Sequence, residues 1–343
     1  MTTRTTVAAV REETPQEDRL IFLNQALREA VDEEMQRDPA VFVLGEEIGV
    51  WGGAYKVTEG LLEKHGPNRI IDTPISEALI AGAAVGAAIT GHRPIAEFMY
   101  SDFMGIAMDQ IVNQAAKNRY MFGGKATLPI VYRAATGAGI GNAAQHTQSL
   151  EAWFTHVPGL KVVTPSTPYE AKGLLKSAIR DDNVVIFLEH KALYASRGNV
   201  PEGEYLVPLG VSDIKRVGAH ATIVTYSRQV IFALEAAEQL AQEGIEVEVV
   251  DLRTLYPLDI DTAITSIQKT NHALVVHEAV QFGGFGGEIA SQIQEQAFDY
   301  LDAPVVRLGA LHSPVPFSEP LEFGSFPSVE KIAEAVRVLL SRA

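Results

Sequence analysis

The chain has 343 residues, with 28 Lys and Arg against 43 Asp and Glu, a formal net charge of −15, no cysteine and 47% hydrophobic residues. The acidic balance repels phosphate backbones and argues against nucleic-acid binding. Zero cysteine excludes disulfides, Cys-ligated zinc, iron–sulfur clusters and thiol catalysis, and it suits a cytoplasmic protein. The length predicts about two domains, and the apolar share predicts packed cores.

In chain order, residues 1–18 read as a mobile polar tail with no apolar core of signal-peptide length. Residues 20–38 place Ile21, Leu23, Ala26, Leu27, Ala30, Val31 and Met35 on one helix face. A strand over 41–44, a helix over 57–65 and a strand over 69–71 follow. The loop Asp72-Thr73-Pro74-Ile75-Ser76-Glu77 then opens a Gly/Ala-rich helix over 78–90. That run is shorter than the ~20 residues a membrane span needs. Its small residues suit close packing against a neighbour. Next come a strand over 95–99, a long helix over 103–118, a strand over 129–132 and a Gly/Ala-rich loop over 136–148. A strand over 160–163, a helix over 168–180 and a strand over 184–188 complete the first run. This alternation predicts a parallel sheet covered on both faces, with functional loops at the C-terminal strand ends.

The rhythm lapses between 190 and 218, where Gly198, Pro201, Gly203, Pro208 and Gly210 mark an extended connection. It resumes as strands over 221–226, 247–251, 273–277 and 305–308 and helices over 229–243, 285–297 and 329–341. The expected organisation is therefore two α/β domains, 19–200 and 215–343, joined by a linker over 201–214.

Several kinds of chemistry are missing. The sequence has no phosphate-binding P-loop, no H-E-x-x-H and no G-x-S-x-G. The run Gly137-Ala138-Gly139-Ile140-Gly141 follows a strand and is similar to a dinucleotide fingerprint. It fails at Asn142, where helix packing needs a small residue, so it reads as a tightly turned loop. The nine histidines show no metal-ligand spacing.

Four segments occur in order: Asp72–Glu77 as above; Glu97-Phe98-Met99-Tyr100-Ser101-Asp102-Phe103 leading to Asp109-Gln110-Ile111; Ala143-Ala144-Gln145-His146-Thr147-Gln148-Ser149; and Lys172-Gly173-Leu174-Leu175-Lys176-Ser177-Ala178-Ile179-Arg180-Asp181. With them go Gly45-Glu46-Glu47 and a late Pro314-Val315-Pro316. From about residue 20 onward the sequence resembles the beta subunit of the thiamine-diphosphate-dependent first component of 2-oxo acid dehydrogenase complexes. The resemblance implies a transketolase-like pyrimidine-binding domain and a transketolase C-terminal-like domain, both α/β with mainly parallel sheets. It implies an alpha2beta2 heterotetramer with an alpha subunit, and docking to a lipoyl-bearing dihydrolipoyl acyltransferase. Thiamine diphosphate would lie between subunits, its diphosphate and magnesium held by a Gly-Asp-Gly motif on the alpha subunit. This chain contains no Gly-Asp-Gly, so it should supply half a site.

Glu77 taken alone reads as a helix cap or dipole partner. The resemblance instead gives it the pyrimidine N1′, where a carboxyl kept protonatable in a dry pocket favours the imino tautomer that deprotonates the thiazolium. His146 alone reads as a surface or hydrogen-bonding loop residue. The resemblance places it at the reacting end of the cofactor, either orienting a substrate carboxylate or supplying a proton. Ile75, Met99 and Phe103 read equally as core or, by the resemblance, as pyrimidine-packing residues. Glu46 is a candidate for the same acidic lining. Ile130, Ala178, Ile179, Asp181 and Asn183 match a potassium-binding loop of relatives, against the plain reading of a helix C-terminal turn. His65 and His92 read as surface residues.

The segment Arg119-Tyr120-Met121-Phe122-Gly123-Gly124-Lys125 is more similar to acetoin-cleaving relatives, and Gly53-Ala54-Tyr55-Lys56-Val57 to pyruvate enzymes. The expected activity is oxidative decarboxylation of pyruvate with reductive acylation of lipoamide. The alternatives are an acetoin or branched-chain 2-oxo acid enzyme, or a non-catalytic scaffold of the same fold.

Overall fold

Runs such as Val-Phe-Val-Leu-Gly and Val-Val-Ile-Phe-Leu are apolar without alternation, as strands covered on both faces must be. In the computed structural model, which describes residues 19–342, the strands are β1 (Leu20–Phe22), β2 (Val41–Gly45), β3 (Ile70–Asp72), β4 (Arg93–Phe98), β5 (Val131–Thr136), β6 (Leu160–Val163), β7 (Val184–His190), β8 (Arg197–Asn199), β9 (Asp213–Arg216), β10 (Ala221–Thr225), β11 (Val247–Asp251), β12 (Thr254–Tyr256), β13 (Ala273–Val280) and β14 (Val306–Ala310). The tail predicted over 1–18 lies outside the described residues.

A seven-stranded sheet has the order β12-β6-β7-β5-β4-β2-β3, and a five-stranded sheet the order β14-β13-β10-β11-β9. Within the first, every pairing is parallel except that of β12 with β6. In the second, only β9 runs antiparallel. β12 comes from beyond residue 215 yet extends the sheet of the N-terminal half, so the two halves share one sheet edge. They also share a core. Leu44, Ile80, Phe98, Ile111 and Tyr132 belong to one buried cluster with Val250, Leu255, Ile264 and Ile293. The outer faces carry separate clusters around Leu27, Leu174 and Phe187, and around Ile223, Leu240 and Val336.

The long helix expected over 103–118 is instead a 3₁₀ turn Ser101–Ala107, a π-helical turn Asp109–Ala115 and an α-helix Ala116–Met121. Burial gives the reason. Ser101, Met104 and Ala107 are buried every three residues, and Ala107, Ile111 and Ala115 every four. The winding follows the apolar spacing rather than the ideal period of 3.6. The first helix starts later than expected, at Leu23, because residues 20–22 pair with β8. Several elements had no counterpart in the expected pattern: β8, β9, β12, the short helices Glu151–Thr155 and Glu319–Ser325, and the helix Ile260–Thr270, capped by Asp259 on the N–H of Thr262 at 3.2 Å. The helix Pro168–Arg180 has the expected bounds, with Thr167 as its cap and Pro168 in its first turn.

Candidate active site

Parallel pairing puts the C-terminal ends of β2, β3, β4, β5 and β7 on one edge. Gly45 pairs with Asp72 and with Glu97, Phe98 with Ala134, and Thr136 with His190. The residues just beyond those ends are Glu46, Ile75 and Glu77, Met99 and Phe103, the loop to His146, and Lys191. Five separate stretches of sequence thus meet along one sheet edge.

Glu77 is the first residue of the helix Glu77–Ile89 and only 6% exposed. Small residues let this helix lie close to the 3₁₀ turn Ser101–Ala107, and Tyr132 donates its hydroxyl to the carbonyl of Ala81 at 3.0 Å. Among the described residues the Glu77 carboxylate accepts no hydrogen bond and no ion pair. Glu46 is 8% exposed, and its Oε1 is buried without a partner. Burial first, then the carboxylates of Glu77 and Glu47, raise its pKa. A buried carboxyl without a donor, beside a second carboxylate, makes Glu46 a group that wants a donor or a proton.

His146 stands between two aromatic edges. Its ring lies 5.1 Å from that of Phe103 and 5.0 Å from that of Tyr100, both edge-on. Tyr100 continues to Tyr55, which stacks on Tyr194 at 4.3 Å. Met99 and Phe103 are half-buried. Ile75 is 83% exposed, so within this chain it packs as neither core nor pocket wall. The structure therefore joins Phe103 with His146 and Glu46 with Glu77, and leaves Ile75 on the outer rim.

The potassium candidates converge on one turn whose oxygens already have donors. The carbonyls of Ile179 and Asp181 accept from Arg93 at 3.0 and 3.1 Å. Those of Ala178 and Ile130 accept the N–H groups of Asp181 and Val185 at 3.3 and 2.8 Å. The Asp181 carboxylate accepts from Asn183 and pairs with Lys161. A cation here would share its oxygens with a guanidinium. His65, expected on the surface, is largely covered and bonds Asp32 at 2.7 Å.

Pattern reading missed several site residues. Lys191 is buried, donates to the carbonyl of His146, and sits 5.0 Å from the Tyr100 ring centroid. Burial pulls its pKa down to about 8, against the carboxylates of Asp102, Glu278 and Glu322. Beneath the site Arg133 forks onto Glu189 at 2.7 Å twice and reaches Glu97 at 2.6 Å. The sequence signal was available: a charge inside a strand that is otherwise apolar must be paired there.

An aminopyrimidine fits this edge, since it offers donors to buried carboxyls and a flat face to an aromatic wall. A diphosphate does not fit the glycine-rich loop over 137–141. The N–H of Ala138 is taken by Glu278 at 2.7 Å, and those of Gly139 and Gly141 by Glu322 at 2.8 and 3.1 Å.

The fold and this strand-end edge are those of a transketolase-like protein. A family model described as the transketolase pyrimidine binding domain matches residues 21–197, and the transketolase C-terminal domain matches residues 210–332. The chain is 53% identical over 329 residues to the acetoin:2,6-dichlorophenolindophenol oxidoreductase subunit beta of Cupriavidus necator, covering 93% of this chain and 97% of that protein. It is 51% identical over 317 residues to the pyruvate dehydrogenase E1 component subunit beta of Rickettsia felis, covering 92% and 97%. A split-gene transketolase solved as an inactive beta4 tetramer superposes with a TM-score of 0.74 at 24% identity, covering 94% of this chain and 98% of that one. The chain belongs to the thiamine-diphosphate-dependent, transketolase-like family that includes the beta subunits of pyruvate dehydrogenase E1 and acetoin oxidoreductase. No helix among the described residues is long and apolar enough to cross a membrane.

Proposed function

We propose that this chain is the pyrimidine-binding half of an oxidoreductase that decarboxylates a 2-oxo acid, pyruvate first, and passes the acyl group to a lipoyl arm. The observation that carries the reading is Glu77, a buried carboxyl without a protein partner at the C-terminal sheet edge. Thiamine diphosphate, when bound, supplies the electron sink for cleaving the bond next to a carbonyl. This chain's residues do the rest of the local work. Glu77 holds a proton toward the pyrimidine ring nitrogen, with Glu46 as its acidic neighbour. Met99 and Phe103 offer the packing face, and Ile75 the rim. His146 faces the reacting end, where an imidazole can orient a carboxylate or move a proton.

The charged end of the cofactor and its magnesium fall to an alpha subunit, in an alpha2beta2 assembly. Two features support this: the chain has no Gly-Asp-Gly, and its own glycine-rich loop is filled by carboxylates. A lipoyl-bearing acyltransferase is the acceptor partner. Potassium is proposed at the Ala178–Asn183 turn, sharing carbonyls with Arg93. A second reading, acetoin cleavage, is favoured by the 53% identical relative and by residues 119–125.

The test is to co-express the chain with its alpha partner and assay pyruvate, branched 2-oxo acids and acetoin with a dye acceptor. Activity with pyruvate is expected, and E77Q should abolish nearly all of it while melting as the parent does. Turnover of acetoin alone would replace the first reading by the second. Undiminished turnover by E77Q would remove Glu77 from the chemistry. An assembly that binds no thiamine diphosphate would leave a scaffold.

A further inference from the structure

The loop from Gly137 to Ser149 carries His146, yet little apolar packing holds it. Behind it lies a cavity of about 430 Å³, lined by Ala144, Thr147 and Gln148 on one side and by Leu311 and His312 on the other. What grips the loop is polar and comes from both halves: Asp102 accepts the N–H and the side-chain amide of Gln148 at 3.1 and 2.9 Å, while the C-terminal half holds the glycine-rich end. Glu322, 1% exposed, accepts the N–H groups of Gly139 and Gly141 on its two oxygens, at 2.8 and 3.1 Å. Glu278 accepts the N–H of Ala138 at 2.7 Å and is itself held by His190 at 2.9 Å. Arg228 donates to the carbonyl of Ala138 at 3.1 Å. Lys191 closes the far end on the carbonyl of His146.

We infer that Glu322 is a positioning residue for His146, acting through the backbone of its loop. Successive N–H groups in a glycine-rich turn form a concavity for an anion, and here the chain's own carboxylate fills it. Burying a carboxylate is costly unless hydrogen bonds offset the lost hydration. Among the described residues Glu322 accepts only those two. Its burial and the turn at Gly139–Gly141 therefore stand or fall together. The glycines are required by the same contacts. Gly137 and Gly139 have φ of +84° and +96°. A Cβ at Gly137 would strike the His190 ring, and one at Gly139 the Arg228 guanidinium. The motif that mimics a dinucleotide fingerprint is thus a socket for the second domain. The consequence for turnover rests on the role proposed for His146, whereas the clamp itself does not.

The experiment compares wild type, E322A and E322Q in two measurements. Amide hydrogen exchange on the full chain should show Gly139 and Gly141 exchanging at least tenfold faster in E322A. The amides of the helix Leu23–Arg37, which packs in a separate cluster on the outer face of the N-terminal sheet, should be unchanged. E322Q, isosteric with one acceptor left, should release one of the two amides. If E322A exchanges faster everywhere, it has lost the fold and E322Q alone decides. In the assembled enzyme kcat should fall about tenfold in E322A and less in E322Q, with KM for the 2-oxo acid within twofold of wild type. Unchanged exchange at Gly139 and Gly141 overturns the clamp. Freed amides with a wild-type kcat overturn the positioning role. An inactive wild-type assembly would count against the proposed function and leave the exchange result to judge the clamp.

Discussion

The imidazole of His146 stands edge-on to the ring of Phe103, the centroids 5.1 Å apart and the planes at 82°. Edge-to-face pairs prefer this geometry, and each contributes about 1 kcal/mol beyond burial. Phe103 therefore serves two surfaces at once, a packing face for a bound ring and a wall for the imidazole. F103L keeps an apolar side chain and removes the ring. Its kcat in the assembled enzyme should fall about fivefold, the rate equivalent of about 1 kcal/mol. Its melting temperature should stay close to that of wild type, because Phe103 is only half-buried. A wild-type kcat in F103L would show that the ring does not hold the histidine.

Glu46 should make the protein less stable as pH rises. Its pKa is raised in the fold by burial and by the charges of Glu77 and Glu47. A carboxyl with a raised folded pKa contributes stability in full below its unfolded value, and that contribution fades as pH climbs through the folded value. E46Q cannot ionise and escapes the loss. Thermal melts at pH 4.5 and pH 8 should show E46Q gaining on wild type by a few degrees at the higher pH. The two proteins should converge at the lower. Parallel melting curves at both pH values would mean that Glu46 is well solvated.

Lys191 should set an alkaline limb. Burial lowers its pKa to about 8, so the ammonium over Tyr100 loses its charge within the working range. Below pH 8 the buried charge costs stability, and that cost fades between pH 8 and the unfolded value near 10.5. Activity runs the other way if the cation orders the His146 loop. The kcat profile should fall with an apparent pKa of about 8. In K191R the limb should move up by more than one pH unit, since a guanidinium stays charged. K191M should be slow at every pH and lack the limb. A limb that stays at the same pH in K191R belongs to another group.

The parallel strands were legible because a doubly covered strand has to be apolar, and the helix 168–180 because Thr167 and Pro168 mark its start. The winding of residues 101–121 was not legible as one helix, because burial spacings of three and four are each compatible with 3.6 when read locally. β12 was hidden for another reason: three residues on a shared sheet edge have no period to read. Glu77, Phe103 and His146 were singled out by their motif flanks. Their pairing was not, because each lies after a different strand and only the register of β2 to β5 brings the ends together. Glu322 lies far from the loop in sequence, in a short helix with no periodic signal, so no spacing rule could join it to Gly139.

The two halves are tied by a buried acid pair whose protonation the geometry dictates. Ser166 Oγ lies 2.7 Å from Glu170 Oε2 and 2.6 Å from Asp251 Oδ2. A hydroxyl has one proton to give, so one of these carboxyls must bring its own. Glu170 faces Lys215 and Arg253, and these charges hold it ionised, with a pKa down to about 2. Asp251 is fully buried beside that negative charge, which raises its pKa, so it is the protonated member. The two substitutions should then differ sharply. E170Q leaves Arg253 with Asp213, and Lys215 with Asp213 and, at 3.9 Å, Asp251, and should cost about 3 kcal/mol, as removing one member of a buried ion pair does. D251N replaces a neutral acid by a neutral amide and should cost less than about 1 kcal/mol. The pH dependence separates them further. The Glu170 contribution is present above its unfolded pKa and is lost as pH falls from about 4.5 toward about 2. Wild type should lose stability relative to D251N as pH rises through the raised value of Asp251. Denaturant melts of the three proteins across that range check both signs. Equal destabilisation by E170Q and D251N at neutral pH would mean that Asp251 carries a charge there and that Ser166 bridges two anions.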